Sequence, residues 1–370
     1  MAEEDKKKKR KKIMLSGGGS GGPVTPLLEI TKELRRSYDN LDFVFVGTET
    51  GPEKEMVASF DNLPFISLPS GKLRRYFSIK NFSDIFRIIS AFFKSFPLIR
   101  RERPDIIISV GSFASVPLVY AACLLRVPVL IHQQDVRPGL ANRLMAPVAK
   151  IITAVFEKTL ADYGPKAILT GNPITSYDKN FEFDKALDPF FAGDKPLLFV
   201  LGGGTGAVFI NSLIAESKKE LLQFCHIIHV TGKNKGVLLH NDNDEKGLYL
   251  SWEFLSHQKL LAIMEKSTLL ISRCGLATLT EISALSKPSI LIPMPKSHQE
   301  DNAEIFGKAN SALVLHQKDL DSKKFVEVTK ELIYDKQKLE TFSKNVYNIM
   351  DKNASKKIAD IIMDIIKDEK

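Results

Sequence analysis

The chain has 370 residues, of which 44% are hydrophobic and 26% charged, and its formal net charge is +8. This size and composition are typical of a globular protein with two domains or one large one. No apolar run reaches the ~18 residues of a membrane span, and the basic start lacks the long apolar region of a secretory signal, so both classes are excluded. The cysteines Cys123, Cys225 and Cys274 are scattered in apolar contexts, which predicts buried thiols in a reducing cytosol.

Residues 1–12 are predicted to be a disordered basic tail. They contain seven basic and three acidic residues, so half of the net charge of +8 lies there. One interpretation of the run Lys6–Lys12 is a solubilising tail, and the other is attraction to an anionic membrane surface, at about 1 kcal/mol per basic residue. No nucleic-acid-binding motif accompanies the charge, so we expect no nucleic-acid partner.

Continuous apolar runs in the first half of the chain alternate with helical patterns. We predict strands at Ile13–Leu15, Phe43–Val46, Ile106–Val110, Val129–Ile131 and Ile151–Val155. Runs that are apolar throughout are typical of parallel strands covered on both faces. The alternation therefore predicts a doubly wound α/β sheet in a first domain at 13–176.

A glycine-dense turn, Gly17–Gly22, follows the first predicted strand and precedes a helical pattern. Glycines allow a sharp turn and a close approach to a ligand, and the next helix offers free N–H groups. The turn matches the dinucleotide fingerprint, and Glu49 could then hold a ribose. No other residues suggest hydride transfer, so we favour a phosphorylated substrate over a nicotinamide cofactor.

The segment between the second and third of these strands is rich in aromatic and basic residues. An apolar stripe at helical spacing favours a helix that packs this stripe on the sheet. The stripe consists of Phe82, Ile85, Phe86, Ile89, Phe92, Phe93 and Phe96. The preceding loop, Leu73–Lys80, mixes aromatic and basic side chains, which suits a membrane interface.

A second domain follows a linker at 177–195, which is rich in Asp, Lys and Phe and has no clear period. Its predicted strands are Leu197–Leu201, Ile227–Val230, Leu269–Ile271 and Ser289–Ile292. We place this domain at 196–345 and predict a C-terminal helix at 346–370, with packing back on the first domain as one option. Two such sheets predict two nucleotide-fold domains that face one cleft.

The second half repeats the glycine turn at Gly202–Ala207, directly after a predicted strand. Free N–H groups in such a turn suit a diphosphate. Other loops at strand ends carry Arg273, Glu281, His298 and Gln299, and in an open α/β sheet such loops form the site. A carboxylate such as Glu281 can accept both hydroxyls of a ribose, and the imidazole and amide can read sugar hydroxyls.

The order of these motifs resembles the MurG family of bacterial glycosyltransferases, which is part of glycosyltransferase family 28. The resemblance spans roughly 13–350 and is carried by Gly18–Gly22, Ser109–Gly111, His132–Asp135, Gly171–Pro173, Gly202–Ala207, Arg273–Glu281 and His298–Ala303. Each motif is weak alone, but the ordered set is specific. The resemblance implies the GT-B architecture, in which two doubly wound parallel-sheet (Rossmann-like) domains face a central cleft.

The resemblance also assigns roles to individual residues. On the donor side it implies a diphosphate contact for Gly203, Gly204, Thr205, Gly206 and Arg273, a backbone contact of Leu255 with uracil, a ribose contact for Glu281, and contacts with the sugar for Leu276, Ala277, His298 and Gln299. On the acceptor side it implies contacts for Gly19, Ser20, Gly21, Gly22, Gly111 and Asn172. The glycine loop of this second set is expected to face a lipid diphosphate.

The chain departs from the family pattern on the acceptor side. Pro23 stands where the family carries a His that is a candidate base, and Gln133 replaces a Glu. Because Asp135 adds a carboxylate in the same loop, we predict that Asp135 takes the proton of the acceptor hydroxyl, with His132 as second choice. Alternatively, Asp135 binds a sugar hydroxyl or caps the helix that starts near Pro138.

We expect neither a metal ion nor a cofactor. Glycine N–H groups, a helix N-terminus and Arg273 can together stabilise a leaving UDP. Asp242 and Asp244 superficially match a metal-binding Asp-x-Asp, but they lie in the polar stretch 241–246, which we interpret as a solvated turn.

The resemblance therefore implies inverting transfer of GlcNAc from UDP-GlcNAc to a lipid-linked muramoyl-peptide, at the cytoplasmic face of the plasma membrane. The expected partners are UDP-GlcNAc, an undecaprenyl-diphosphate-linked acceptor, an anionic membrane surface and other cell-wall synthesis proteins. The departures on the acceptor side keep three alternatives open: a transferase with another lipid acceptor, a UDP-sugar epimerase, and a non-catalytic scaffold that only binds the donor.

Overall fold

The computed structural model describes residues 10–19, 21–71, 80–175, 179–202, 207–233, 235 and 248–368, apart from the side chains of 80–83. The chain divides into two compact units. The first unit comprises 1–174 together with 351–370, and the second comprises 175–350.

Strands and helices alternate along both units, as the apolar runs predicted. The strands are β1 (Lys11–Ser16), β2 (Leu41–Thr48), β3 (Phe65–Leu68), β4 (Ile106–Ser109), β5 (Val129–Gln133), β6 (Ile151–Ala154), β7 (Ala167–Leu169), β8 (Leu197–Leu201), β9 (His226–Val230), β10 (Tyr249–Trp252), β11 (Leu269–Ser272), β12 (Ser289–Leu291) and β13 (Leu313–Val314). The α-helices are α1 (Val24–Ser37), α2 (Glu53–Ala58), α3 (Lys80–Glu102), α4 (Ser115–Leu124), α5 (Leu140–Met145), α6 (Leu160–Tyr163), α7 (Asp188–Phe191), α8 (Val208–Leu221), α9 (His257–Lys266), α10 (Leu276–Ala284), α11 (His298–Lys308), α12 (Ser322–Tyr334), α13 (Lys336–Tyr347) and α14 (Ala354–Asp368).

Each unit contains a parallel sheet. The strand order is β3-β2-β1-β4-β5-β6-β7 in the first unit and β10-β9-β8-β11-β12-β13 in the second, and these strands pair in parallel. Consecutive residues of the central strand β1, Ile13, Met14 and Leu15, are all fully buried, because both faces of the sheet are covered. The predicted fold class, two doubly wound parallel sheets, is confirmed.

Four strands that were not predicted lie at the edges of the two sheets. β3 and β7 flank the first sheet, and β10 and β13 flank the second. They are two to four residues long, and most of their side chains are half-buried or exposed. An edge strand has a neighbour on one side only, so it can fold without the continuous apolar run on which the prediction relied.

The helix α14 belongs to the first unit. It packs against α1 and β4, and Ile358, Ile362 and Ile365 lie in the same buried cluster as Ile13. The chain thus crosses back to the first sheet after it has completed the second unit.

Lys11 and Lys12, predicted to belong to a disordered tail, are the first residues of β1, and their Nζ atoms donate to Asp105 at 2.6 Å and Glu102 at 3.1 Å. The prediction of a disordered tail is wrong for these two residues, and 1–9 lie outside the described residues.

The end of the chain and the predicted linker differ from the sequence prediction in detail. The helix expected at 346–370 is interrupted, because α13 ends at Tyr347 and α14 begins at Ala354. The stretch 177–195 contains α7, and Phe190 on that helix is buried, so part of this segment packs into the second unit.

The helix α3 turns most of its aromatic stripe outward. Ile85, Phe86, Ile89 and Phe93 are exposed, with relative exposures of 63% for Phe86 and 66% for Phe93. The prediction that this stripe packs on the sheet is wrong for these four residues, because another face of α3, which includes the buried Leu98, contacts β3 and α4. We call Ile85, Phe86, Ile89 and Phe93 the apolar patch of α3.

Among the described residues, no helix is both long enough and apolar enough to cross a bilayer.

The three cysteines differ in burial. Cys225 and Cys274 are buried, but Cys123 near the end of α4 is exposed, so the prediction of buried thiols is wrong for Cys123.

Candidate functional site

The loops that follow β8, β10, β11 and β12 lie at the carboxyl edge of the second sheet, where parallel α/β sheets bind ligands. Of the residues predicted to bind a donor, Gly203, Gly204, Thr205 and Gly206 lie outside the described part of the chain. The others are Leu255 after β10, then Arg273, Leu276, Ala277 and Glu281 after β11, and His298 and Gln299 after β12.

Arg273 holds two of these loops together. Its Nη1 donates to the carbonyl oxygens of Ile292 and Pro293, both at 3.0 Å, and its Nη2 donates to Gln317 Oε1 at 3.0 Å. The guanidinium lies 5.7 Å from the ring centroid of Phe209, on the first turn of α8. Burial lowers the pKa of Arg273 from its ordinary 12.5, yet a guanidinium stays charged at neutral pH. A fixed positive charge therefore lies beside the N-terminal end of α8.

Gln299 and Asn302 join the loop after β11 to the helix α11. The Oε1 atom of Gln299 accepts hydrogen bonds from the N–H groups of Cys274 at 3.3 Å and Met294 at 3.0 Å. Asn302 is fully buried and donates from Nδ2 to the carbonyl oxygen of Cys274 at 3.1 Å. Both amides thus fix the backbone around Cys274, between Arg273 and the start of α10.

Glu281, the predicted ribose ligand, is paired with an imidazole. Its Oε1 lies 2.6 Å from Nε2 of His257, and its side chain is 14% exposed. Sequence reasoning missed His257, because no local pattern links it to a carboxylate 24 positions away. Only the fold brings the first residue of α9 and the second turn of α10 together.

The remaining predicted donor residues differ in exposure. Leu255 and Leu276 are buried. Ala277 and His298 are exposed, near the first turns of α10 and α11. All the described residues that were predicted to bind the donor substrate therefore follow strands at the same edge of the second sheet.

On the first unit, Glu53 organises the glycine loop, and the sequence analysis missed it. Its buried carboxylate accepts from the N–H of Gly19 at 3.1 Å, from the N–H of Thr48 at 2.7 Å and from the Thr48 hydroxyl. A Cβ atom on Gly18 or Gly51 would overlap a carboxylate oxygen of Glu53. These glycines are needed to make room for the carboxylate, and the Gly19 N–H donates to Glu53.

The rest of this loop starts α1. The carbonyl oxygen of Gly21 accepts from the N–H groups of Val24 at 3.1 Å and Thr25 at 3.2 Å, and Gly22 follows it directly. Ser20, also predicted to contact the acceptor, lies outside the described residues.

His132 is enclosed at the end of β5. It is fully buried, its Nε2 lies 3.0 Å from Oδ1 of Asn172, and its Nδ1 lies 2.9 Å from Oγ1 of Thr153. Because an amide oxygen only accepts, Nε2 carries the proton and Nδ1 accepts from the threonine hydroxyl. Burial lowers the pKa of His132 to about 4, although the bond to Asn172 opposes this shift. His132 is therefore neutral near pH 7, with both nitrogens engaged inside the protein.

Gln133 fixes the loop that carries Asp135. Its Nε2 donates to the carbonyl oxygen of Asp135 at 2.7 Å, and its Oε1 accepts from Asn142 Nδ2 at 2.7 Å and from the Tyr163 hydroxyl at 3.0 Å. Asp135 itself is half-buried. The N-cap of α5 is Gly139, so Asp135 does not occupy the capping position.

Gly111, at the end of β4, is constrained in two ways. Its φ angle is +80°, a conformation that favours glycine. A Cβ atom at this position would lie 2.9 to 3.1 Å from the amide group of Asn142. Gly111 and the loop of Asp135 thus share a contact through Asn142.

Within the ranges that the structure describes, no group of three or more His, Cys, Asp or Glu side chains could hold a metal ion. Asp242 and Asp244 lie outside these ranges.

Two Rossmann-like units, each built on a parallel sheet, form the GT-B fold. Residues 13–154 match the glycosyltransferase family 28 N-terminal domain, and residues 197–363 match the glycosyltransferase family 28 C-terminal domain. The chain belongs to glycosyltransferase family 28, and the family predicted from the motifs is confirmed.

Relatives and solved structures agree with this assignment. The UDP-N-acetylglucosamine–N-acetylmuramyl-(pentapeptide) pyrophosphoryl-undecaprenol N-acetylglucosamine transferase of Clostridium kluyveri is 36% identical over 354 residues, which are 94% of this chain and 96% of the relative. Acinetobacter baumannii MurG superposes with a TM-score of 0.74 at 21% identity, over 96% and 99% of the two chains. UDP-GlcNAc 2-epimerase from Neisseria meningitidis, bound to UDP-GlcNAc, gives 0.68 at 16% identity over 95% and 100%. At these identities the two structures show a shared fold.

Proposed function

We propose that this protein transfers N-acetylglucosamine from UDP-GlcNAc to a muramoyl-pentapeptide carried on undecaprenyl diphosphate, with inversion at the transferred sugar. The observation that carries the proposal is the 36% identity to a transferase of that name over 94% of this chain and 96% of the relative. The donor residues gathered at the edge of the second sheet support it, since they supply a carboxylate, a fixed cation and sugar-facing loops.

The donor side of the reaction needs charge stabilisation as UDP leaves. Arg273 is held beside the first turn of α8, and the N-terminus of a helix adds positive potential. Their combined field favours a diphosphate at this sheet edge. Glu281 is proposed to accept the ribose hydroxyls, with His257 orienting its carboxylate through the 2.6 Å contact.

Glu281→Gln is expected to weaken the binding of UDP about 10- to 100-fold, because charge-assisted hydrogen bonds to the carboxylate contribute about 1.5–3 kcal/mol. Isothermal titration with UDP measures the change. The control is Glu265→Gln, which neutralises an exposed carboxylate on α9. Equal UDP affinity in the two variants would contradict a ribose contact by Glu281.

The acceptor side needs a base for the attacking hydroxyl. We propose Asp135 in that role, and we propose that His132 is a positioning residue. The two ring nitrogens of His132 are committed to Asn172 and Thr153, whereas Asp135 is half-buried on a loop that Gln133 holds in place.

We propose that the apolar patch of α3 docks the protein on the membrane that carries the acceptor. The patch comprises Ile85, Phe86, Ile89 and Phe93, which recur at helical spacing and are exposed. Exposed basic side chains lie on the same helix at Arg87, Lys94, Arg100 and Arg101. An apolar face flanked by cations is typical of helices that lie in an anionic interface. Of the loop Leu73–Lys80, predicted for the same role, residues 73–79 lie outside the described residues.

Phe86→Ser combined with Phe93→Ser is expected to lower binding to anionic phosphatidylglycerol vesicles at least tenfold, because each buried aromatic side chain contributes about 1.5–3 kcal/mol. Vesicle sedimentation at low salt measures the bound fraction, with neutral phosphatidylcholine vesicles in parallel. Phe254→Ser, which removes an exposed phenylalanine of the second unit, is the control. If binding persists in the double variant and disappears when 1–9 are deleted, the basic tail is the anchor.

A direct assay tests the function itself. The protein is incubated with UDP-[¹⁴C]GlcNAc and lipid-linked muramoyl-pentapeptide, and we expect a labelled lipid-linked disaccharide. Release of UDP without this product would favour an epimerase or another acceptor. Donor binding without either outcome would favour a scaffold for other cell-wall synthesis proteins.

A further inference from the structure

A basic pocket lies in the first unit between α5 and α6. Its volume is about 940 Å³, within the range of about 300–1,000 Å³ that is typical of ligand sites. Arg137, Arg143 and Lys166 line it, and Asp162 is the acidic residue of the described lining. Leu140 adds apolar surface. The lining therefore combines an excess of positive charge with an apolar wall.

The pocket is continuous with the loop of the proposed base. Arg137, on its rim, is two residues from Asp135. Tyr163 forms part of the wall, and its hydroxyl donates to Gln133 Oε1 at 3.0 Å, while Gln133 Nε2 donates to the carbonyl oxygen of Asp135 at 2.7 Å. Burial raises the pKa of Tyr163 well above its ordinary value, so the phenol remains a donor in this chain of contacts.

The charges of the pocket are accessible to solvent. Arg137, Arg143 and Lys166 are all exposed, and Lys166 Nζ also donates to the carbonyl oxygen of Pro147 at 2.9 Å. Cations gathered around one concave surface focus a positive potential there and raise the local concentration of anions. The complementary ligand is an anionic molecule with some apolar surface.

We propose that this pocket binds the peptide of the acceptor. The inference rests on the proposed function, in which the acceptor is a muramoyl-pentapeptide. Such a peptide is joined through its amino end to the sugar that carries the attacking hydroxyl, and it presents its C-terminal carboxylate at the far end. A sugar held at Asp135 lies two residues along the chain from Arg137, and five extended residues span at most about 18 Å. The peptide can therefore extend from the loop of Asp135 into the adjoining pocket.

The test compares two acceptors in neutral detergent: the lipid-linked muramoyl-pentapeptide and the same lipid-linked muramoyl sugar without its peptide. The variant is Arg143→Gln combined with Lys166→Gln, which removes two exposed charges. Its KM for the peptide-bearing acceptor is expected to rise about tenfold, as for the loss of one or two charge-assisted contacts. Its KM for the peptide-free acceptor and for UDP-GlcNAc, and its kcat, are expected to equal those of the wild type.

The matched control is Lys54→Gln combined with Lys356→Gln, which removes two exposed charges from α2 and α14, outside the pocket. An equal rise in KM for both acceptors, or for the control variant, would overturn the proposal, because the effect would then come from the lipid diphosphate or from net charge. An unchanged KM would overturn it too. If the wild-type protein used neither acceptor, the proposed function would fail. Titration with a soluble muramoyl-pentapeptide would still test the pocket. Equal affinity of the wild type and the variant for this peptide, or binding to neither protein, would overturn the proposal that the pocket binds the peptide.

Discussion

Asp135→Asn is expected to lower kcat about 10²- to 10⁴-fold, the range that a general base contributes, while leaving the affinity for UDP unchanged. Asparagine keeps the size of the side chain but cannot take a proton from the acceptor hydroxyl. The backbone of residue 135 stays in place, because Gln133 holds its carbonyl oxygen at 2.7 Å. Transferase turnover under saturating substrate, with UDP titration in parallel, measures the two quantities.

The split between kcat and KM separates a base from a residue that only orients the sugar. If Asp135 is the base, Asp135→Asn lowers kcat, whereas the loss of a contact that only binds the sugar raises the KM for the acceptor and leaves kcat unchanged. Glu157→Gln, which neutralises an exposed carboxylate at 157, is the control and is expected to keep both kcat and KM. Near-normal turnover in Asp135→Asn would restrict Asp135 to sugar binding.

Glu53→Ala is expected to reduce the free energy of unfolding of the first unit by about 3 kcal/mol, because removal of a buried acceptor leaves its donors unpaired at about 1–3 kcal/mol each. Those donors are the N–H of Gly19 and both the N–H and the hydroxyl of Thr48. The same change frees the glycine loop from α2, so the KM for the acceptor is expected to rise together with the loss of stability.

Chemical denaturation, monitored by amide hydrogen exchange of residues 10–71, measures the change in the free energy of unfolding of the first unit. Glu55→Ala is the matched control, since Glu55 also lies on the first turn of α2 but is exposed. Equal stability and equal exchange in the two variants would show that the carboxylate of Glu53 does not hold the loop.

The sheets could be predicted from the sequence where strands are buried on both faces, and not at their edges. In β1, Ile13, Met14 and Leu15 are fully buried, and a continuous apolar run marks them. In β7, Ile168 and Leu169 are exposed, and in β13 only two residues pair with a neighbour. Edge strands take their conformation from the adjacent strand, which is information that a local pattern lacks.

The residues of the candidate site differ in the same respect. Arg273, Glu281 and Gln299 lie on the loops and helices that follow the neighbouring strands β11 and β12, so the topology of the sheet predicts that they meet. Glu53 and His257 meet their partners through packing between helices and loops that no short motif records. The outward orientation of Phe86 on α3 was missed for a related reason: spacing identifies a stripe but does not show which face of the helix another element covers.

The return of α14 to the first unit has a consequence for synthesis. Ile358 and Ile362 complete the core of a unit whose strands end before 175, and the residues 175–350 form a separate unit in between. At about 5–20 residues per second, the ribosome needs about 10 to 35 s for that insertion. During this interval the second unit can fold on its own, while the first unit still exposes the surface against which its last helix packs. The unit that begins first is therefore finished last, and nascent chains are most vulnerable to chaperone capture or proteolysis at the surface that α14 later covers.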